Sequence, residues 1–233
     1  MSTLSIIGTP IGNLEDITLR ALNVLATSDL VLCEDTRMTK RLFDRHAISV
    51  PTKSYHMHST ISRVDEIISL LKEGKHISLV SDAGTPGISD PGAELVSRIR
   101  RECEAEILSG ELKIEAIPGP SALTSALSIA GVPCADFTFL GFLPHKKGRE
   151  TLFKEIASSE RTMVFYESPH RISKTIDSLI EHTANAPRKV TICRELTKIF
   201  EETIAGSAKE VKAYFELHPD KVRGEFVVIV SRI

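Results

Sequence analysis

Ile77-Ser78-Leu79-Val80-Ser81-Asp82-Ala83-Gly84-Thr85-Pro86-Gly87-Ile88-Ser89-Asp90-Pro91-Gly92 contains the change of rhythm that decides the fold. Residues 77–81 are short, apolar and bounded by turn formers, the pattern of a strand covered on both faces. The stretch from Asp82 to Gly92 cannot continue that strand, because glycine and proline interrupt it repeatedly. Asp90-Pro91 then reads as a helix N-cap with proline in the first helical position, and Leu95, Val96 and Ile99 supply the apolar face. Strand, Gly/Pro/Asp-rich loop and amphipathic helix are the repeating unit of a parallel α/β sheet.

The same unit recurs outward in both directions. Residues 4–8 (LSIIG), 29–33 (DLVLC) and 113–117 (KIEAI) read as further strands. Val64, Ile67, Ile68 and Leu71 fall at i, i+3, i+4 and i+7, with Gly74 as the stop. Two more strands run into loops of the same composition, Gly8-Thr9-Pro10-Ile11-Gly12-Asn13 and Pro118-Gly119-Pro120-Ser121-Ala122. The Pro-Gly-Pro break divides the chain into two α/β domains, 1–117 and 118–233. Beyond it, Ser121 caps a short helix that ends before Gly131, and strands are predicted near 137–142, 162–166, 190–193, 201–205 and 225–230. Ser168-Pro169 reads as the cap of a helix bearing Ile172, Ile176, Leu179 and Ile180. Ser207-Ala208-Lys209-Glu210 reads as a capping box ahead of Val211 and Phe215.

Composition narrows the function classes. Of 233 residues, 42% are hydrophobic and 26% charged, which excludes disordered and fibrous chains. Lys and Arg number 29 against 31 Asp and Glu, so bulk electrostatic capture of nucleic acid is excluded and only a local basic patch remains. No apolar run is long enough to predict a membrane span. Met1-Ser2-Thr3-Leu4 enters a strand without a basic leader, so no signal peptide is expected. Cys33, Cys103, Cys134 and Cys193 form no C-x-x-C pair, which points to reduced thiols, no metal site and a cytoplasmic protein.

In an open α/β sheet, ligands bind beyond the carboxyl ends of the strands, so three such loops on one edge predict a ligand cleft. The loops are not a dinucleotide fingerprint, because no G-x-G-x-x-G follows a strand. Gly74-Lys75 is followed by His76, so there is no P-loop, and neither H-E-x-x-H nor G-x-S-x-G occurs. His56 and His58 are the closest histidine pair and read as a solvated loop.

The loops occur in fixed order with Glu34-Asp35-Thr36-Arg37, Gly141-Phe142-Leu143-Pro144, Tyr166-Glu167-Ser168-Pro169-His170-Arg171, Arg194-Glu195-Leu196-Thr197-Lys198 and Gly224-Glu225. Over essentially its whole length the chain resembles the ribosomal RNA methyltransferase branch of the tetrapyrrole methylase superfamily. The resemblance implies a mostly parallel N-terminal sheet, a mixed C-terminal sheet and a cofactor cleft between the two domains. It also implies a homodimer that uses S-adenosylmethionine to methylate the ribose 2′-hydroxyl of a cytidine in the decoding region of 16S rRNA, within the 30S subunit.

Carried over by motif position, Thr9, Pro10, Asp82, Ala83, Gly84, Thr85, Pro86, Ser121 and Ala122 line the cofactor pocket, with Tyr166 and Leu196 added from the second domain. Asp82 is the natural polar anchor for an ammonium or ribose hydroxyl; its other reading is a turn aspartate bonding backbone N–H groups. For RNA, Lys146, Lys147, Arg149, Arg37 and Arg171 form a basic rim suited to positioning phosphates, with Lys40, Arg41 and Lys174 nearby. If the reaction uses a base, Asp35 is the first candidate, followed by Glu34 and Glu167; equally, Asp35 pairs with Arg37 and shapes its loop. Two other functions share this architecture, a porphyrin or corrin methylase and a noncatalytic cofactor sensor that binds RNA.

Overall fold

β1 (Ser2–Ile7) sends its side chains into two different cores. Leu4 is buried on one face of its sheet and Ile7 on the other. Burial on both faces is why the apolar residues of these strands run consecutively. The computed structural model describes residues 1–56 and 59–232 and divides into two compact units, Met1–Ser121 and Ala122–Ile233. His58 lies outside the described residues.

In the first unit β1 is followed by α1 (Leu19–Thr27), β2 (Leu30–Cys33), α2 (Thr36–His46), β3 (Thr52–Ser54), α3 (Ile61–Lys72), β4 (His76–Leu79), α4 (Ala93–Glu102), α5 (Glu104–Leu108) and β5 (Leu112–Ile117). The strands lie in the order β3-β2-β4-β1-β5, all parallel. Ile67 and Leu71 of α3 and Leu95 and Ile99 of α4 fill one face, while Ala21 and Leu25 of α1 and Leu42 and Phe43 of α2 fill the other. Because every pairing is parallel, all five carboxyl ends emerge along one edge.

The second unit contains α6 (Ala122–Ile129), β6 (Phe137–Phe142), α7 (Arg149–Ser158), β7 (Thr162–Glu167), α8 (Ile172–His182), β8 (Arg188–Arg194), β9 (Glu202–Gly206), α9 (Ala208–Leu217) and β10 (Phe226–Arg232). Its sheet runs β6-β7-β10-β8-β9 and is mixed: β6 and β7 are parallel, the other pairs antiparallel. Phe153, Ile176, Leu179, Val211 and Phe215 of α7, α8 and α9 pack on Val190, Ile192, Phe226 and Val228. The capping box of α9 forms in full, Ser207 accepting from the Glu210 N–H and Glu210 accepting from the Ser207 N–H.

Two helix starts differ from the sequence reading. α4 begins at Ala93 with Gly92 at the cap position, and Asp90-Pro91 belongs to the preceding loop. α8 begins at Ile172, where the Ser168 carbonyl accepts from the N–H groups of Arg171 and Ile172. In both places a turn intervenes, since the residue expected to cap is held by other groups. The Ser168 N–H donates to Glu167, and the Asp90 carboxyl lies beside the Ser81 hydroxyl. The four cysteines are unpaired, and burial pushes the thiols of Cys33, Cys103 and Cys193 up. Among the described residues no helix is long and apolar enough to cross a membrane.

Candidate active site

The three Gly/Pro loops of the first unit meet at the carboxyl edge of the parallel sheet. Thr9 and Gly84 exchange backbone hydrogen bonds of 2.8 and 3.1 Å, an isolated antiparallel bridge joining the first loop to the second. The Thr9 hydroxyl lies 3.1 Å from the Ser81 carbonyl and 3.3 Å from that of Gly84. Gly8 and Gly119 bring the first and third loops into backbone contact: a Cβ on Gly8 would lie 2.8 Å from the Gly119 Cα, and one on Gly119 would strike the Gly8 carbonyl. Gly84, with φ +78, faces Ile11 and the Pro120 carbonyl. Thr9, Pro10, Gly84 and Pro86 are buried, Thr85, Ser121 and Ala122 half-buried, and Asp82 and Ala83 exposed. The result is a preformed backbone cradle with one carboxylate at its surface.

Four carboxylates gather around that cradle. Asp82 accepts the Asp35 N–H at 3.0 Å, tying the loop after β4 to the end of β2. Asp90 is pushed up to about 6 by burial, with the charges of Glu34 and Asp82 adding to the shift. Burial, then the Asp82 charge, also raises Glu34. Asp35 goes the other way. It caps α2 by accepting the Arg37 N–H at 2.8 Å, and its carboxylate is held by the Arg37 guanidinium at 2.6 Å, which keeps it down at about 2. Its acceptor sites are committed to capping and to Arg37, so its geometry is that of a helix cap. Among the described residues no three His, Cys, Asp or Glu side chains are grouped as metal ligands.

The second unit gives three of the sequence candidates a shared structural task. The Glu167 side chain is 0% exposed and accepts from Thr175 Oγ1 at 2.6 Å and from the Ser168 N–H at 2.9 Å. Arg171 Nε approaches it to 3.1 Å and Arg149 Nη1 to 3.9 Å. The two guanidiniums also reach forward, Arg171 to the Leu143 carbonyl at 2.6 Å and Arg149 to the Pro144 carbonyl at 3.4 Å. Glu167 is thus the counter-ion of a buried cluster that fixes residues 143–144, a geometry unsuited to a solvent-facing base. Arg149 and Arg171 turn inward, whereas Lys146 and Lys147 remain exposed. Tyr166 is half-buried on β7. Leu196 is buried between Glu195 (φ 51) and Thr197 (φ 64), two non-glycine residues in the left-handed region. Lys198 pins that turn, donating to Glu195 at 2.9 Å and to Glu225 at 2.8 Å.

Residues 3–212 match the family described as Tetrapyrrole (Corrin/Porphyrin) Methylases. The chain is 44% identical to Ribosomal RNA small subunit methyltransferase I of Thermotoga maritima, covering 99% of each. The chain belongs to the tetrapyrrole methylase family. It is also 43% identical to the protein of the same name from Halalkalibacterium halodurans, covering 98% of this chain and 75% of that one. A solved diphthine synthase, 14% identical, has the same fold, with a TM-score of 0.71 over 99% of this chain and 90% of that one.

The sequence of this tetrapyrrole methylase announces the loops but not what joins them. The Gly8–Gly119 contact had a signal, a glycine after each of two strands, yet nothing local says that the two strands are neighbours. Asp90 precedes a proline and so reads as a cap; its elevated pKa comes first from burial and then from the charges of Glu34 and Asp82, none of which the local sequence announces.

Proposed function

We propose that this tetrapyrrole methylase transfers a methyl group from S-adenosylmethionine to the ribose 2′-hydroxyl of a cytidine in the decoding region of 16S rRNA, acting on the 30S subunit as a cytoplasmic homodimer. The observation that carries the reading is the near-full-length identity to proteins named for ribosomal RNA methylation. The first unit's edge fits such a cofactor chemically. A backbone cradle receives an uncharged adenine and ribose, and the carboxylates of Asp82, Glu34 and Asp90 suit a ligand bearing a sulfonium and an ammonium.

When bound, the cofactor supplies an electrophilic methyl group on a positively charged sulfur. Thr9, Pro10, Ala83, Gly84, Thr85, Pro86, Ser121 and Ala122 would hold it, with Asp82 as its polar anchor. The chain's other task is to align the 2′-oxygen with that methyl and to receive the hydroxyl proton. Alignment supplies much of the acceleration. Asp90, pushed up to about 6, is matched to taking a proton near neutral pH, and Glu34 is raised in the same direction by burial, whereas Asp35 and Glu167 are committed to guanidiniums.

The deciding experiment offers labelled S-adenosylmethionine with either 30S particles from a strain lacking the enzyme or uroporphyrinogen III, and maps the product by mass spectrometry. A methyl on a cytidine ribose of 16S rRNA is expected. A methylated macrocycle would instead make the protein a porphyrin methylase, and absence of single-turnover transfer to either acceptor would favour a noncatalytic sensor.

A further inference from the structure

Phe142 ends β6 with 56% of its surface exposed, and its surroundings hold it there. β6 is an edge strand whose register with β7 breaks between Phe139 and Phe142, with Gly141 at φ 61. In an unbroken strand, residues three apart point to opposite faces. The irregularity instead brings both phenylalanines to Tyr166, edge to face, with ring centroids 4.9 and 5.5 Å away. Immediately downstream, the buried Glu167 cluster clamps the Leu143 and Pro144 carbonyls through Arg171 and Arg149. The chain then emerges as exposed His145, Lys146 and Lys147.

We propose that Phe142 is a stacking platform for an unpaired base of the RNA substrate, with Lys146 and Lys147 taking the adjoining phosphates. The inference rests on the reading of this protein as an RNA methyltransferase and names the part of it that grips the nucleotides. Single-stranded RNA is recognised by aromatic rings on which bases stack and by cations that follow the backbone, and both are present within six residues. The clamp matters because a ring already fixed in place loses little freedom on binding. Its neighbours along the chain argue for RNA over a second copy of the protein: cationic side chains, rather than an apolar patch, follow the ring.

Phe142→Ala, Phe142→Trp and the pair Lys146→Glu with Lys147→Glu test this in the full-length protein, with undermethylated 30S particles as the acceptor. Phe142→Ala is expected to raise KM for the particles roughly 5- to 100-fold with kcat unchanged. Phe142→Trp is expected to stay near wild type, because a larger ring still stacks. The lysine pair should raise KM and weaken its salt dependence. Cofactor affinity by calorimetry should be the same in all, which also reports that each variant is folded. A Phe142→Ala KM within two-fold of wild type overturns the proposal. So does a Phe142→Ala variant whose defect is a change of oligomeric state in sedimentation, which would make Phe142 part of an interface between copies. If the wild-type protein transfers no methyl to 30S particles at all, the underlying reading fails with it; wild-type transfer with an indifferent Phe142 sinks the platform alone.

Discussion

Asp82 does two things with one carboxylate: it accepts the Asp35 N–H across two loops and places a negative charge at the cradle. Two substitutions separate these roles. Asp82→Asn keeps an acceptor for the N–H but removes the charge, and Asp82→Ala removes both. If the charge anchors the cofactor, each should weaken S-adenosylmethionine binding by about ten- to hundred-fold in calorimetry. A loss confined to the alanine variant would reduce Asp82 to a loop bridge. Asp90 makes a different prediction. Its folded-state value, about 6, lies above the ordinary 3.8, so its contribution to stability is fully present below pH 4 and is lost as pH rises through 6. Asp90→Asn should therefore gain on the wild type by about 1–2 kcal/mol between pH 4 and pH 7, allowing for solvent screening, as read from urea midpoints at a series of pH values. Parallel pH curves for the two proteins would mean that Asp90 ionises as an ordinary carboxylate.

At the scale of elements, the carboxyl edge depends on loops that touch through glycine. Gly119→Ala places a methyl group against the Gly8 carbonyl, a backbone atom that cannot rotate away. The expected cost is about 2–3 kcal/mol in chemical denaturation, accompanied by weaker cofactor binding, because the first and third loops must separate. Unchanged stability would show that the two loops are free to part. The inner strands β2, β4 and β1 are legible because both their faces are covered and they carry consecutive apolar residues, and their loops are legible because glycine and proline cannot be mistaken for helix. α2 is announced by Asp35 as a cap and by Thr39, Leu42 and Phe43 as its buried face, but the capping signal lies inside Glu34-Asp35-Thr36-Arg37, whose charged residues equally suit a site. β3 is a three-residue edge strand, Thr52-Lys53-Ser54, with no apolar residue to announce it. Around Glu167 at the end of β7, the cluster draws Arg149 from α7, Thr175 from α8 and Arg171 from the residue before α8, so no spacing rule could distinguish inward arginines from outward ones.

For the whole molecule, a net charge of −2 means that the chain's overall field does not attract RNA. Binding must come from individual cations, and several are already engaged: Arg37 with Asp35, and Arg149 and Arg171 with Glu167. Each phosphate neutralised by a lysine or arginine releases condensed counterions, so the slope of log affinity against log salt counts such contacts at about 0.7 per phosphate for a single strand. Replacing Lys146 and Lys147 by glutamate should make that slope shallower by roughly 1 to 2 in 30S binding. Arg149→Met should act differently. It removes an inward guanidinium from the Glu167 cluster, so the melting temperature should fall while the slope is retained in whatever fraction stays folded. The two variants therefore move two different observables, and salt titrations alongside thermal melts distinguish them. An Arg149 variant that melts normally but shows the shallower slope would place that arginine on the RNA, and the Glu167 cluster would then be a reserve of cations for the substrate instead of a clamp.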